Sequence, residues 1–194
     1  MPVSSDLYFA TSNQHKYGEA RYILRGSRIR LHRLPSKGTE IQSDDVSEIA
    51  ACAASEAYAK HRLPVFVEDT MLSVKSLRGF PGAYASYVNG TIGPEGVLRL
   101  LEGRGDRTAE FSSAVAFVGG RKIAKVFVGR LPGTIAMAPK GHRGFGFDPI
   151  FIPAGERRTL AEMTLAEKCA ISHRSRAIRA FASWYLAKQT GQPL

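Results

Sequence analysis

Residues 64–70 read Pro-Val-Phe-Val-Glu-Asp-Thr, a continuous apolar run that is followed at once by two acidic residues. A short run of β-branched and aromatic residues after a proline is typical of a strand that is buried on both faces of a sheet. We therefore predict a buried strand at Val65–Val67 that ends at Glu68 and Asp69.

The residues before this strand predict a repeating strand–helix pattern. Residues 7–11 form an apolar run that ends at a polar turn, beyond which apolar residues recur at helical spacing. Residues 29–34 alternate as a second strand, and residues 46–61 are rich in alanine and follow a capping box of Asp45 and Glu48. This β-α-β-α-β order predicts an α/β fold in which helices flank a central sheet.

The residues after the strand change to loop and hairpin patterns. Residues 78–93 are rich in glycine and aromatic residues, which indicates an ordered loop. Two alternating runs at 109–118 and 122–131 are separated by Gly119-Gly120, and this arrangement predicts an antiparallel hairpin. Residues 139–155 are punctuated by glycine and proline, as in a binding loop.

The composition is that of a globular protein: 44% of the 194 residues are apolar and 23% are charged. No apolar run reaches the ~18 to 20 residues needed to cross a bilayer, and residues 1–6 do not resemble a secretory signal. Cys52 and Cys169 lie in apolar or helical segments, which favours reduced core thiols. We predict a single domain over residues 1–194, located in the cytoplasm and without a membrane partner.

The net charge is unusual, because 27 basic residues against 17 acidic ones give +10. Nucleic acid, acidic membranes and phosphorylated small molecules all suit such a charge. The basic residues are spread along the chain, with local densities at 25–33 and 174–179, and they form no long basic tail. The charge alone leaves the partner open.

The first segment with chemistry is the turn Thr11-Ser12-Asn13-Gln14-His15-Lys16, between the first predicted strand and helix. Unpaired N–H groups at a helix start form a natural phosphate site, to which Lys16 would add a positive charge. The alternative is that Ser12 or Asn13 only caps the helix.

The second segment is the acidic pair Glu68 and Asp69. Neighbours in a strand alternate in direction, and residues at strand ends in α/β sheets commonly line ligand sites. Carboxylate oxygens suit Mg²⁺, and Glu40 is a candidate partner carboxylate. The alternative is that the acids only end the strand in solvent.

The third segment is the glycine-rich stretch at 141–149. Its glycines let the backbone approach a ligand closely, and Phe145 and Phe147 offer faces on which a base could stack. Asp148 is a candidate hydrogen-bond acceptor for a base or sugar. The alternative is a turn anchored by its aromatic residues.

The fourth segment joins Lys168 to His173 and Arg174, after a capping box at 164–167. An unbroken helix would spread these side chains around its axis, at about 100° per residue. We therefore predict a break near Ser172, which would cap a second helix and place His173 and Arg174 at its N-terminus. The apolar face of that helix consists of Ile178, Phe181 and Tyr185.

Together, the four segments resemble the inosine triphosphate pyrophosphatase family, the non-canonical purine NTP pyrophosphatases. The family's Ala-Thr-(Gly/Ser)-Asn-x-x-Lys-x-x-Glu motif matches residues 10–19, and its acidic strand and Pro-Gly-x-Tyr loop match residues 68–84. Its Gly-Phe-Gly-Tyr-Asp-Pro-x-Phe and Glu-Lys-x-x-x-Ser-His-Arg motifs match residues 144–151 and 167–174. The resemblance covers residues 7–186, and its Glu-Asp-Thr form is closer to archaeal and eukaryotic members than to bacterial ones.

The resemblance implies an elongated, mixed central sheet flanked by helices, with an active-site cleft between two lobes and a homodimeric assembly. It implies Mg²⁺-dependent hydrolysis of ITP, dITP or XTP to the monophosphate and pyrophosphate, which keeps these nucleotides out of DNA and RNA. Asp69 would be the general base and a metal ligand, and Glu40 a second metal ligand. Phosphates would be held by Thr11, Ser12, Asn13, Gln14, His15 and Lys16. Further substrate contacts would come from Thr70, Phe145, Gly146, Phe147, Asp148, Lys168, His173 and Arg174.

Three residues depart from the family pattern: Met71 replaces a common glycine, Phe147 a tyrosine and Cys169 an asparagine. Two other functions remain open. One is a nucleic-acid-binding module, although we expect no stable nucleic-acid partner. The other is a nucleotide hydrolase with a different base preference, or one that releases orthophosphate.

Overall fold

The computed structural model describes residues 5–36, 41–120 and 124–190. Over these residues the strands are β1 (Ser5–Ala10), β2 (Ile29–Leu34), β3 (Val65–Val74), β4 (Pro81–Gly82), β5 (Thr108–Val118), β6 (Lys125–Ile135) and β7 (Phe151–Pro153). The α-helices are α1 (Gln14–Ile23), α2 (Val46–His61), α3 (Ala85–Thr91), α4 (Gly93–Leu100), α5 (Leu165–Ile171) and α6 (His173–Thr190). None of the helices in these ranges is long and apolar enough to span a membrane.

The strands form one mixed sheet in the order β2-β1-β3-β5-β6-β7, with β4 paired to the side of β3. The first three strands are parallel, and β3, β5, β6 and β7 are antiparallel. The mixed α/β sheet predicted from the sequence is therefore confirmed, as is the hairpin, which is formed by β5 and β6. The second strand of the hairpin lies at 125–135 rather than at 122–131, and residues 121–123 lie outside the described residues.

Strand β3 is longer than predicted, and the prediction that it ends at Glu68 and Asp69 is wrong. It continues to Val74 because β5 pairs with it along its full length, with Glu68 opposite Val115 and Asp69 opposite Ala114. Both acids therefore lie in the middle of a long strand rather than at its end.

The opposite edge of β3 changes partner along its length. Parallel β1 pairs with it as far as Phe66, and β4 pairs with it from Leu72 onwards. Among the described strands none pairs with residues 67–71 on this edge. The gap opens where β1 ends and the chain turns away into α1.

Two apolar cores lie on the α6 face of the sheet, at opposite ends of β3 and β5. One core contains Phe66 and Val115 with the buried residues of α1 and α6. The other contains Leu72 and Phe111 with residues of α3, α4 and the segment 147–163. Between them, the same face carries Glu68, Thr70 and Ser113, because side chains alternate along each strand. This polar band separates two lobes.

Helix α2 covers the other face of β3 and β5, where Met71 and Ala114 pack against Val46 and Ala50. Its bounds match the prediction, but the capping box is wrong. Asp45 accepts a hydrogen bond from the Ser47 N–H (2.8 Å). The Glu48 carboxylate, however, accepts a hydrogen bond from the Ser43 hydroxyl instead of from the Asp45 N–H.

The structure confirms the predicted break at Ser172. Helix α5 ends at Ile171, and the Ser172 Oγ accepts the Ser175 N–H at 3.2 Å at the start of α6. The apolar face of α6 is buried as predicted, at Ile178, Phe181 and Tyr185. In contrast, the stretch expected to be a loop at 78–93 contains the short helix α3.

Candidate active site

The gap in the edge of β3 opens into a cavity of about 820 Å³. The cavity extends to both faces of the strand, since Asp69 and Val67 line it from the α2 face and Glu68 and Thr70 from the α6 face. Adjacent acids therefore reach one cavity from opposite sides of the sheet.

Glu68 is fully buried and is surrounded by hydrogen-bond donors. Its Oε1 atom accepts hydrogen bonds from the Ser113 hydroxyl (2.5 Å) and the Thr70 hydroxyl (2.6 Å). Its Oε2 atom lies 3.1 Å from both Lys16 Nζ and Arg174 Nε. Burial alone would raise the pKa of Glu68, but the charges of Arg174 and Lys16 and the two hydroxyl groups hold it well below its ordinary value.

Lys16 also lies at the gap in the sheet. Its Nζ donates to the backbone carbonyl of Glu68 (3.0 Å), a group that lies on the edge where no strand covers β3, and it lies 3.7 Å from Asp69 Oδ1. Its ammonium is therefore held between two carboxylates.

Glu19 pairs with both buried cations of the site. From α1 it accepts Arg174 Nη1 at 2.5 Å and Lys168 Nζ at 2.7 Å, and Lys168 also contacts Asp148 at 2.5 Å. Burial would raise the pKa of Glu19, but Arg174 and Lys168 lower it below the ordinary value. Burial raises the pKa of Asp148 in spite of its contact with Lys168. Lys168 and Arg174 are paired with three carboxylates. Their positive charge is therefore offset, and their N–H groups are held in fixed directions.

Asp69 is less enclosed than Glu68, with one third of its side chain exposed. Its Oδ1 accepts the Thr70 N–H at 2.8 Å. Glu40, the predicted second metal ligand, lies outside the described residues. Within those residues no cluster of three or more His, Cys, Asp or Glu side chains could hold a metal ion. One open carboxylate beside a cavity fits Mg²⁺, which takes most of its ligands from water and phosphate.

The turn between β1 and α1 is a capped helix start. Asn13 Oδ1 accepts the N–H groups of His15 (2.9 Å) and Lys16 (3.1 Å), while Thr11 Oγ1 accepts the N–H of Asn13 (3.1 Å). Asn13 therefore caps α1, and phosphate binding by this turn stays a prediction.

The glycine-rich loop places Phe145 at the cavity and Phe147 in the core. The Phe145 N–H donates to Asp148 Oδ2 at 2.8 Å. Gly144 has φ +75°, and a Cβ there would lie 2.1 Å from Asp148 Oδ2, so this contact requires glycine. Phe147 is only 4% exposed and packs with Ile150 in the core that also contains Leu72 and Phe111.

His173 is buried and stacks on Phe111, with ring centroids 4.5 Å apart and ring planes at 13°. Its Nδ1 atom has no hydrogen-bond partner among the described residues, although the residue lines the cavity. Burial and the neighbouring Arg174 hold its pKa well below the ordinary value, so the ring is neutral at pH 7.

Most of the predicted site residues line this cavity. Its lining includes Thr11, Ser12, Asn13, Lys16, Asp69, Thr70, Phe145, Gly146, Phe147, Asp148, His173 and Arg174. Gln14, His15 and Lys168 are not part of the lining. The predictions did not include Glu19, Ser113 and Phe111, although Glu19 ends the first motif. Cys169 lies behind the site, where burial raises the pKa of its thiol to about 11.

The fold is that of Ham1 proteins of known structure. The Ham1 protein of Staphylococcus aureus superposes with a TM-score of 0.82 at 27% identity, covering 95% of this chain and all (100%) of that one. A HAM1 protein from Coxiella burnetii gives a TM-score of 0.82 at 29% identity, covering 93% and 98% of the two chains.

The chain belongs to the Ham1 family, which it matches over residues 7–184. A dITP/XTP pyrophosphatase of Methanopyrus kandleri is 47% identical over 95% of this chain and 98% of its own. A dITP/XTP pyrophosphatase of Saccharolobus solfataricus is 48% identical over 90% of each chain. The resemblance drawn from the four sequence segments is therefore confirmed.

Proposed function

We propose that this protein hydrolyses non-canonical purine nucleoside triphosphates, namely dITP, XTP and ITP, to the monophosphate and pyrophosphate. The observation that carries the proposal is the uncovered edge of β3. There, Asp69 on one face and a band of buried donors on the other line a single cavity of about 820 Å³, a size typical of small-molecule sites. Family membership and the names of the relatives support the same activity.

The α6 face of the cavity suits a purine base. Phe145 offers an aromatic face at the cavity. Arg174, which lines the cavity, and Lys168, which lies beside the Phe145 ring but outside the lining, are oriented by Glu19 and Asp148. These donors match a 6-keto oxygen and oppose the 6-amino group of adenine. A site that presents hydrogen-bond donors to the 6-position discriminates against a base that carries a donor there.

The neutral His173 ring extends this selectivity. It carries one N–H and one lone pair, and its buried Nδ1 has no partner among the described residues. A base edge that offers a matching group would satisfy this atom, whereas an apolar or mismatched edge would leave it unpaired.

The chemistry is assigned to the α2 face of the gap. Asp69 would accept a proton from the water that attacks the α-phosphorus, while Lys16 holds the carboxylate pair in place and residues 11–16 bind the phosphates. When bound, Mg²⁺ supplies charge that stabilises the attacked phosphate and the leaving pyrophosphate. Asp69 and Glu40 are its proposed ligands.

The remaining parts of the proposal concern assembly and location. We include a homodimer and a cytoplasmic location, both drawn from the family resemblance. Light scattering on the purified protein tests the dimer, since a single-chain mass in solution would contradict it.

Product analysis with several nucleotides tests the function. The protein is incubated with Mg²⁺ and dITP, XTP, ITP, ATP or GTP, and pyrophosphate and orthophosphate are measured separately. We expect pyrophosphate from the first three substrates and little turnover of the last two, since ATP lacks the 6-keto oxygen and GTP carries a 2-amino donor that hypoxanthine and xanthine lack. Release of orthophosphate, or equal turnover of ATP, would contradict the proposal. Full activity without any divalent cation would contradict it as well.

A further inference from the structure

The ring of His15 lies parallel to the ring of Phe145, with centroids 5.1 Å apart and planes at 18°. His15 is an exposed residue in the first turn of α1, whereas Phe145 is in the loop that follows β6. The contact therefore joins two segments that are far apart in the chain, at the aromatic residue assigned to the purine base.

Within the described residues, one aromatic and two cationic side chains lie over the Phe145 ring. Besides His15, Lys168 Nζ lies 4.8 Å and the guanidinium carbon of Arg174 lies 5.2 Å from its centroid. A planar base that stacks on the face held by His15 has to take the place of the histidine ring, because stacked aromatic groups need centroids within about 4.5 to 7 Å of each other.

The three neighbours differ in how firmly they are held. Lys168 and Arg174 are each 4% or less exposed and are bound to buried carboxylates. His15 is exposed, and its ring makes no hydrogen bond or ion pair with any residue that the structure describes. His15 is therefore the neighbour that can leave at least cost.

We propose that His15 is a displaceable cover on Phe145, which a purine base must push aside. The inference rests on the proposed function and refines it, since it moves His15 from the phosphate contacts to the base side. The His15–Phe145 stack then competes with the base–Phe145 stack. Wild-type affinity for the nucleotide is accordingly lower than the pocket alone would provide.

Kinetics of two His15 variants with dITP test the cover. His15→Ala removes the competing ring, so KM falls by about 2- to 10-fold, the size expected for losing one aromatic pair. His15→Phe keeps a ring in place and leaves KM at or above the wild-type value. The control is Gly18→Ala on the exposed side of α1, which leaves KM and kcat unchanged. A higher or unchanged KM in His15→Ala overturns the proposal.

A base-free inhibitor separates the base from the phosphate. Inorganic tripolyphosphate presents the phosphate chain without a purine, so His15→Ala leaves its inhibition constant unchanged. If this constant instead rises several-fold, His15 holds phosphate and the cover is refuted.

The partner ring provides a second check. In a Phe145→Ala background, His15→Ala no longer lowers the KM, since the cover has lost the surface it protects. An equal fall in both backgrounds overturns the mechanism.

Equilibrium binding keeps this test independent of the proposed function. Calorimetry with dITP in the absence of divalent cations compares the affinities of wild type and His15→Ala without turnover. Lack of dITP hydrolysis by the wild type would refute the proposed function alone, whereas equal dITP affinities for the two proteins would refute the cover.

Discussion

Adjacent residues at 68 and 69 are placed in different surroundings by the alternation of a strand. Glu68 faces α6 and is enclosed by Ser113, Thr70 and Arg174, while Asp69 faces α2 and reaches the open part of the cavity. A buried, paired carboxylate maintains structure, and a partly exposed one is available to accept a proton. Loss of the Asp69 carboxylate is therefore expected to reduce turnover, whereas loss of the Glu68 carboxylate is expected to reduce stability.

Asp69→Asn should reduce kcat by at least about 100-fold, because the amide cannot accept the proton of the attacking water. Its size and its hydrogen bond to the Thr70 N–H can be kept, so the thermal unfolding temperature should stay close to that of the wild type. Steady-state kinetics and a melting curve check both parts. Turnover near the wild-type rate would remove Asp69 from the mechanism.

Glu68→Gln should instead lower stability more than it lowers turnover. It leaves Arg174 and Lys16 facing an uncharged partner in a buried site, and breaking such a pair costs about 3 kcal/mol or more. Urea unfolding of Glu68→Gln beside Asp69→Asn measures the difference at neighbouring positions. Equal stabilities for the two variants would show that the buried carboxylate does not hold the site together.

At the scale of elements, the packing of β6 against α6 depends on Gly129. A Cβ at this position would lie 2.1 Å from the His173 carbonyl oxygen and 2.6 Å from the Ala177 nitrogen. These are backbone atoms, so a side chain cannot be accommodated without moving the start of α6. That start carries His173 and Arg174.

Gly129→Ala should lower the free energy of unfolding by about 3 kcal/mol, the upper range for overpacked sites, and raise the KM by shifting α6. Gly18→Ala is the matched control. It lies in α1 with nothing within 4 Å of its Cβ position, so it should add about 0.5 to 1 kcal/mol of stability. Urea unfolding of both variants decides, and a neutral Gly129→Ala would contradict the close packing.

The start of α5 depends on a charged cap. The pKa of Glu167 is lowered to about 2, because its carboxylate accepts the N–H and the hydroxyl of Thr164 and lies near Arg158. A lowered pKa stabilises the fold above the ordinary value of 4.5, and this stabilisation is lost as the pH falls towards 2.

Glu167→Gln keeps a capping oxygen but removes the charge. The variant should melt below the wild type at pH 7, and the two melting temperatures should converge as the pH falls from 4.5 towards 2. Glu102→Gln, at an exposed glutamate, serves as the control. A difference that persists unchanged at low pH would show that charge does not support the cap.

At the scale of the whole molecule, positive charge remains after the site has been neutralised internally. The buried cations Lys168 and Arg174 are paired with Glu19, Glu68 and Asp148. The net charge of +10 is therefore mostly a property of the surface. Such a charge would attract anionic nucleotides over a distance and would be screened by salt.

Raising the ionic strength should increase the KM for dITP and leave kcat unchanged, since capture is long-ranged and the paired site is shielded from solvent. A series of sodium chloride concentrations checks this, with an uncharged osmolyte as control. A KM that does not respond to salt would show that the surface charge plays no part in substrate capture.

Much of the local structure follows from the sequence alone. The bounds of β2 and α2, the β5–β6 hairpin and the break at Ser172 were all predicted correctly, apart from small shifts at the ends of elements. Each depends on residues a few positions apart, through the periods of helix and strand and through capping. The single domain over residues 1–194 and the role of Glu40 stay predictions.

Other features were decided only by the tertiary structure. The length of β3 depends on its pairing with β5, and the gap at residues 67–71 depends on where β1 and β4 stop. The Arg174–Glu19 contact joins residues 155 positions apart. Sequence periodicity determines which side of an element is apolar, but sheet register determines which polar groups meet, and register is a property of strands that are distant in the chain. The sequence therefore singled out most of the candidate residues that line the cavity, and the fold decided that Glu68 is buried and that Asp69 reaches the open cavity.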